Sequence, residues 1–240
     1  MKQVGEGLKS ARGNWNFKDI DVSKFESHVK NSVPGYQESH EYIKILSDYF
    51  LSDCSTVYDI GCSTGNLLKM ISDYNVSKRD INLIGIEKVK KFESIFNKNF
   101  ENCSKKHSFS FVNKSIQDVD LKLCDMIISF YTIQFIHPRH RQFIFDKIYN
   151  SLNWGGGLFL FEKVRAPDAR FQDMISNAYI EYKQRIGYED SQIIQKQLSL
   201  KGVLEPFTTK ANYDFLKRAG FKDIISIYKN LCFEGILAIK

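Results

Sequence analysis

The 240-residue chain contains no apolar run near the roughly 18 residues that a membrane span needs. Its opening, Met1-Lys2-Gln3-Val4-Gly5-Glu6-Gly7, lacks the apolar core of a signal peptide. No block of five or six basic residues occurs, so the net charge of +6 (34 Lys+Arg against 28 Asp+Glu) forms no membrane-surface or DNA-coating stripe, and direct nucleic-acid binding is not expected. Five cysteines (Cys54, Cys62, Cys103, Cys124, Cys232) make no C-x-x-C pair, and five scattered histidines complete no zinc-ligand spacing; reduced cytoplasmic thiols and no metal are expected. Neither a dinucleotide G-x-G-x-x-G nor a Gly-Lys-Ser/Thr phosphate loop is present, and there is no internal repeat. With 43% apolar and 26% charged residues, the chain reads as one globular domain, 1–240.

What is present is alternation. Residues 1–20 read as a loose arm that Trp15 and Phe17 dock, followed by a short amphipathic helix (Val22, Phe25, Val29) and, after Pro34-Gly35, a second one (Ile43, Leu46, Phe50). Strands are predicted at Val57–Ile60, Ile81–Glu87, Phe109–Val112, Met126–Tyr131 and Leu158–Glu162, with helices between them. Asn153–Gly157 is read as the glycine cap and turn that ends the helix from His140 to Leu152. The pattern predicts an α/β fold: a doubly wound, mostly parallel sheet. Residues 164–205 interrupt it with two helices, near 168–186 and 190–201. A helix, Gly220 and an edge hairpin, 224–228 and 231–239 joined at Lys229-Asn230, complete the chain.

The chemistry concentrates in Val57-Tyr58-Asp59-Ile60-Gly61-Cys62-Ser63-Thr64-Gly65-Asn66, a strand running through Asp59-x-Gly61-x-Ser63-x-Gly65 into a helix. In open α/β sheets, ligands lie beyond the carboxyl ends of the strands. Asp59 can accept from a ligand ammonium, and Glu87, ending the next strand, can accept from ribose hydroxyls. The pair implies an aminoacyl nucleoside, S-adenosylmethionine. Cys62 has no His near it in sequence and is expected to be a backbone contact rather than a nucleophile.

These elements resemble class I S-adenosylmethionine-dependent methyltransferases, which implies a seven-stranded Rossmann-like sheet. Ser32-Val33-Pro34-Gly35-Tyr36, the Asp59–Ser63 loop, Tyr131-Thr132-Ile133-Gln134-Phe135, Gly156-Gly157, Glu162-Lys163, Gly187-Tyr188 and Gln195-Lys196 resemble, more closely, the carboxy-S-adenosylmethionine synthases. Those bacterial enzymes convert S-adenosylmethionine and prephenate into carboxy-S-adenosylmethionine for tRNA wobble-uridine modification, and are homodimers joined through the inserted helices. The resemblance implies cofactor contacts at Tyr36, Gly61, Cys62 and Ser63, and at Glu87, Lys88, Ser115, Ile116, Phe130 and Gln197, where residue types differ from the family's. Glu87 replaces Asp, Ser115 replaces Asp, Phe130 replaces Asn, and Gln197 replaces the Arg that clamps the product's extra carboxylate.

That last change is weighable. An Arg–carboxylate fork is worth about 2–4 kcal/mol in a closed site, against about 1 kcal/mol for a neutral hydrogen bond. The first expectation is therefore a methyltransferase using plain S-adenosylmethionine on a small acceptor. A carboxy-S-adenosylmethionine synthase is the alternative if Arg185, Lys196 or Lys201 substitutes, and a non-catalytic S-adenosylmethionine-binding module is the third reading. Tyr131 and Glu162 are the catalytic candidates, Glu162 as a general base. Tyr131, Gln134, Lys163 and Arg185 are candidates for acceptor contacts. His137-Pro138-Arg139-His140-Arg141 reads as a solvated helix start, and Tyr179, Tyr182 and Ile186 as an apolar dimer stripe.

Overall fold

Strand β3 (Thr56–Ile60) lies inside the sheet, with Val57 to Ile60 all buried. The computed structural model describes residues 2–5, 8–17, 21–101, 103 and 106–240. Around β3, strands β4 (Asn82–Ile86), β5 (Ser108–Val112), β6 (Cys124–Phe130) and β7 (Leu152–Lys163) run parallel to it. The final hairpin, β8 (Asp223–Asn230) and β9 (Phe233–Ile239), joins antiparallel, for the order β5-β4-β3-β6-β7-β9-β8.

The unbroken apolar run of β6 is explained by the two cores. Met126 and Ile128 point to one face, with Ile43, Leu68, Ile71, Phe96 and Phe159; Ile127 points to the other, with Phe145, Ile148, Leu160 and Leu216. The first face is covered by α2 (Tyr36–Ser47), α3 (Asn66–Tyr74) and α4 (Glu93–Phe100), and the second by α5 (Pro138–Ser151) and α8 (Thr209–Ala219). Among the described residues, no helix is long and apolar enough to cross a membrane.

Three local expectations change. The described part of the arm is ordered by pairing: β1 (Lys2–Gly5) and β2 (Leu8–Ser10) form a hairpin; residues 1, 6–7 and 18–20 of the predicted arm lie outside the described residues. Trp15 does dock, through its N–H to the Ser199 carbonyl (3.1 Å) and a small cluster with Val4 and Leu8. Asn153–Gly157 is not a glycine cap, because β7 begins at once at Leu152 and the glycine tract pairs with the C-terminus, Gly155 N–H to the Lys240 carbonyl. The last hairpin turns at Leu231-Cys232, where Leu231 takes φ 50°, so the first strand runs on to Asn230 and the second begins only at Phe233, two residues later than the Lys229-Asn230 turn implied.

The interruption is helical as read: α6 (Ala169–Arg185), capped by Asp168, and α7 (Asp190–Ser199), opened by a Glu189/Gln192 capping box. Together with α1 (Val22–Ser32), capped by Asp21, they close over the carboxyl ends of the strands.

Candidate functional site

A cavity of about 480 Å³ opens where β3, β4, β6 and β7 end, under α1, α6, α7 and the segment carrying Trp15 and Phe17. That is a size suited to a small organic ligand. Its floor is the β3–α3 loop. Gly61 holds φ 79°, and a Cβ there would meet Thr132 Oγ1 at 2.2 Å, so the loop passes the segment after β6 with no room for a side chain. Gly61 N–H donates to the Ile86 carbonyl at 2.7 Å, drawing the loop toward β4 and bringing Asp59 and Glu87 to the same end of the cavity.

Both carboxyls are buried. Asp59 Oδ1 has no hydrogen-bond partner, and burial, with the neighbouring Glu87 charge, pushes its pKa up to about 7. Glu87 Oε1 accepts from the Val89 N–H at 2.8 Å; burial raises its pKa despite this and other backbone donors. Two buried acids, one with an idle oxygen facing a cavity, fit a cationic ligand bearing hydroxyls, which is what the sulfonium, ammonium and ribose of S-adenosylmethionine provide. Cys62 lines the same loop with its thiol pKa raised by burial, an environment for a packed thiol and not a nucleophile.

An aromatic wall continues from there. Phe130 packs against Tyr36 (5.5 Å), His40 (4.6 Å) and Tyr131 (4.6 Å), and burial drives His40 down to about 3, neutral at ordinary pH. Tyr36 donates to Glu26 Oε2 at 3.3 Å, and Thr64 donates to Glu26 Oε1 at 2.6 Å, so Glu26 ties α1 to the cofactor loop. Lysines also line the cavity: Lys163 at the end of β7, Lys183 on α6 and Lys196 on α7, besides Lys88 and Lys114. Lys196 lies over the Trp15 ring and 3.1 Å from His28 Nε2.

The structure thus gathers Tyr36, Asp59, Gly61, Cys62, Ser63, Glu87, Lys88, Ser115, Ile116, Phe130 and Gln197 round one cavity, with Tyr131, Gln134 and Lys163. It leaves out three. Gly65 takes a left-handed φ of 77° to open α3, with a Cβ position filled by Phe96, so its part is the turn itself. Arg185 is exposed and pairs with Glu181 at 3.5 Å. Glu162 is buried beneath the Ile133–Phe135 turn rather than lining the cavity. It accepts from the Ile133 and Gln134 N–H groups, while Arg141, buried and not solvated, donates to the Gln134 and Ile136 carbonyls. The pair clamps the turn that carries Gln134, whose Oε1 accepts from the Lys163 N–H at 2.8 Å.

Of the three cations weighed against Gln197, Lys196 enters the cavity; Lys201 and Arg185 are exposed. Tyr179 is no dimer stripe. Its hydroxyl donates to the Ser32 carbonyl at 2.6 Å and its ring packs on Phe233. Residues the sequence did not put forward are Glu26, His28 and Lys183; Glu26 is bonded to Tyr36 and His28 is stacked on Trp15, both already singled out, whereas Lys183 had no such signal. Among the described residues no group of three His, Cys, Asp or Glu could hold a metal.

Comparison with known proteins agrees with this geometry. Residues 57–156 match a family model described as a methyltransferase domain. The carboxy-S-adenosyl-L-methionine synthase of Staphylococcus epidermidis is 36% identical over 94% of this chain and 97% of its own length. That of Campylobacter jejuni subsp. jejuni is 32% identical over 97% of each. Among solved structures, a possible exported protein of Bordetella parapertussis superposes with a TM-score of 0.68 at 13% identity, covering 93% of this chain and 80% of that one, a likeness of fold alone.

Proposed function

The chain belongs to the carboxy-S-adenosyl-L-methionine synthase family, S-adenosylmethionine-dependent transferases of the methyltransferase fold, and from that premise we propose that it makes carboxy-S-adenosylmethionine from S-adenosylmethionine and prephenate. The observation that carries this is the charge of the cavity. Its wall carries two buried acids, Asp59 and Glu87, and lysines from β7, α6 and α7, so a cation and an anion can be held in one space. S-adenosylmethionine supplies a sulfonium methyl that accepts the carboxyl. Prephenate, on aromatising to phenylpyruvate, gives up one carboxyl and one hydroxyl, which leaves as water with the methyl proton. The proton therefore has a destination without a protein base, consistent with Glu162 lying under the floor.

The residues bind and orient. Asp59 takes the ammonium, Glu87 the ribose, and the Gly61–Ser63 backbone passes close to the ligand. Phe130 and Tyr36 shape an apolar wall, and α1, α6 and α7 exclude water, so that proximity supplies the rate. Gln197 weighs against a carboxylated ligand because it is neutral where the family's Arg stands; of the three cations that could substitute, Lys196 lines the same cavity.

Methyl transfer to a small acceptor is the second reading, favoured by the neutral Gln197 in the cavity wall. One experiment separates them: mass spectrometry of the ligand extracted from purified protein, and of the mixture after incubation with prephenate. Carboxy-S-adenosylmethionine and phenylpyruvate support the synthase; S-adenosylmethionine that prephenate leaves unchanged supports the methyltransferase.

The protein is further read as a cytoplasmic homodimer. All five thiols are free. Phe171, Met174, Ile186 and Ile194 are exposed on or beside α6 and α7, supporting a seam there even though Tyr179 is turned inward. Light scattering giving 27.9 kDa at micromolar concentration would remove the dimer.

A further inference from the structure

Three carboxyls line the cavity among the described residues: Asp59 in β3, Glu87 just past β4, and Glu26, which arrives on α1. The first two belong to the sheet. Glu26 comes from a covering helix, and both of its oxygens are fixed. Thr64 Oγ1 donates to Oε1 at 2.6 Å, and the Tyr36 hydroxyl donates to Oε2 at 3.3 Å. Thr64 is buried in the β3–α3 loop, and Asn99 of α4 donates to its carbonyl at 2.9 Å. On α1 itself, Phe25 sets its ring edge-on to Phe92 at 5.0 Å, and the Ser32 carbonyl accepts from Tyr179. The carboxylate is thus held at a set place over the glycine loop.

Its surroundings lack a partner of opposite charge. Both groups bonded to Glu26 are neutral hydroxyls. Asp59, fully enclosed, has an oxygen with no hydrogen-bond partner. Burial raises the Tyr36 hydroxyl well above its ordinary value, and the charges of Glu26 and Asp59 raise it further, so one hydroxyl senses both carboxyls. Acids gathered at a cavity without a cation fit a ligand that brings one. The donor count agrees. An ammonium offers three N–H donors, and a carboxylate has about four acceptor sites. Asp59 Oδ1 can take one donor, and Glu26, with one donor on each oxygen, has sites left for another.

We infer that Glu26 is a second acidic contact for the ammonium of S-adenosylmethionine, carried to it by α1 and aimed by Thr64 and Tyr36. The aminoacyl end is then gripped by the sheet through Asp59 and by the cover through Glu26, so a nucleoside without that end loses both. The inference rests on the reading that Asp59 meets the ammonium, and it holds for either reaction proposed above.

Calorimetric titration with two probes tests it: S-adenosylhomocysteine, which carries the ammonium, and 5′-methylthioadenosine, which has the nucleoside and a thioether but no aminoacyl group. Glu26→Gln keeps an acceptor for Thr64 and removes the charge. It should weaken S-adenosylhomocysteine about tenfold, the scale of one partly screened charged hydrogen bond, and leave methylthioadenosine within about twofold. A loss confined to the first probe belongs to its ammonium, because its carboxylate would gain from the removal of a nearby acid. Thr64→Val, which keeps the charge but frees Glu26 to turn, should produce a smaller loss on the same probe alone, and it stands in if Glu26→Gln does not fold. Retained methylthioadenosine binding certifies the nucleoside site in each variant. Unchanged S-adenosylhomocysteine affinity in Glu26→Gln overturns the contact. So does an equal loss on both probes, which would make Glu26 a brace for α1 only. Asp59→Asn, titrated in parallel, separates the two assignments: if it binds both probes as wild type does while Glu26→Gln loses the first, the Glu26 contact stands and the reading of Asp59 falls.

Discussion

Asp59 and Glu87 close adjacent strands and are brought together by a single glycine loop, whereas other parts of the same cavity wall take Trp15 from the arm, His28 from α1, Lys163 from β7, Lys183 from α6 and Lys196 from α7. The cofactor end is part of the sheet and shares its rigidity: β3 and its neighbours bury most of their side chains in the two cores. The other end depends on helices and a hairpin seated on one another, as in Gly13 N–H to the Leu198 carbonyl at 2.8 Å. A fold of this kind can keep one ligand while changing its second by altering the covering elements alone.

The largest expected effect breaks the cofactor end without touching the other. Asp59→Ala and Glu87→Ala should each weaken S-adenosylmethionine by about 1–3 kcal/mol, the cost of a charged hydrogen bond, roughly five- to 150-fold by calorimetry. Unchanged affinity in both would remove the assignment. The same end should be sensitive to pH. In the free protein Asp59 holds its proton up to about 7, and a cation prefers the carboxylate. Affinity should therefore rise with pH, by at most about tenfold per unit, and level off above pH 7. Asp59→Asn should flatten that dependence.

Gln197→Arg sharpens the comparison from the other side. It adds a fixed fork beside Lys196 and should move the ratio of affinities toward carboxy-S-adenosylmethionine by about tenfold, or 1.4 kcal/mol. Competitive displacement of S-adenosylmethionine by the carboxy form measures it. A ratio that does not move would mean that position 197 is out of reach of the carboxylate.

The asymmetry also decided what was legible beforehand. The strand–loop–helix around Gly61 is local, so its chemistry could be taken from spacing, and the alternation of Met126, Ile127 and Ile128 betrayed a sheet covered on both sides. Glu26 and Lys183 are ordinary polar residues on amphipathic helices, and only the docking of α1 and α6 turns them inward. Tyr179 was misassigned for the same reason: an aromatic on a helix fits an outer seam as well as an inner wall until Ser32 and Phe233 are seen against it. Glu162 follows the parallel logic at a strand end, where one residue faces the cavity and the next lies under the turn.

Glu162 gives the smallest effect and links the two ends through the floor. Burial raises its pKa to about 8 although Arg141 and two backbone N–H groups favour the carboxylate. In the folded chain it therefore keeps a proton that the unfolded chain releases near the ordinary 4.5. Its share of stability is complete below that value and is lost as pH rises through about 8. Asp59 acts with the same sign up to about 7, so melting should be followed with saturating S-adenosylmethionine, which holds Asp59 ionised. Under that condition Glu162→Gln, which keeps an acceptor for the Ile133 and Gln134 N–H groups but cannot ionise, should melt close to wild type at pH 5. It should then decline less toward pH 8, by one to a few degrees per unit, since a single proton is worth at most about 1.4 kcal/mol per pH unit. Equal slopes for the two proteins would show that Glu162 is ionised throughout. The charge of Arg141 would then balance a buried carboxylate at longer range, adding to the hydrogen bonds that hold the turn.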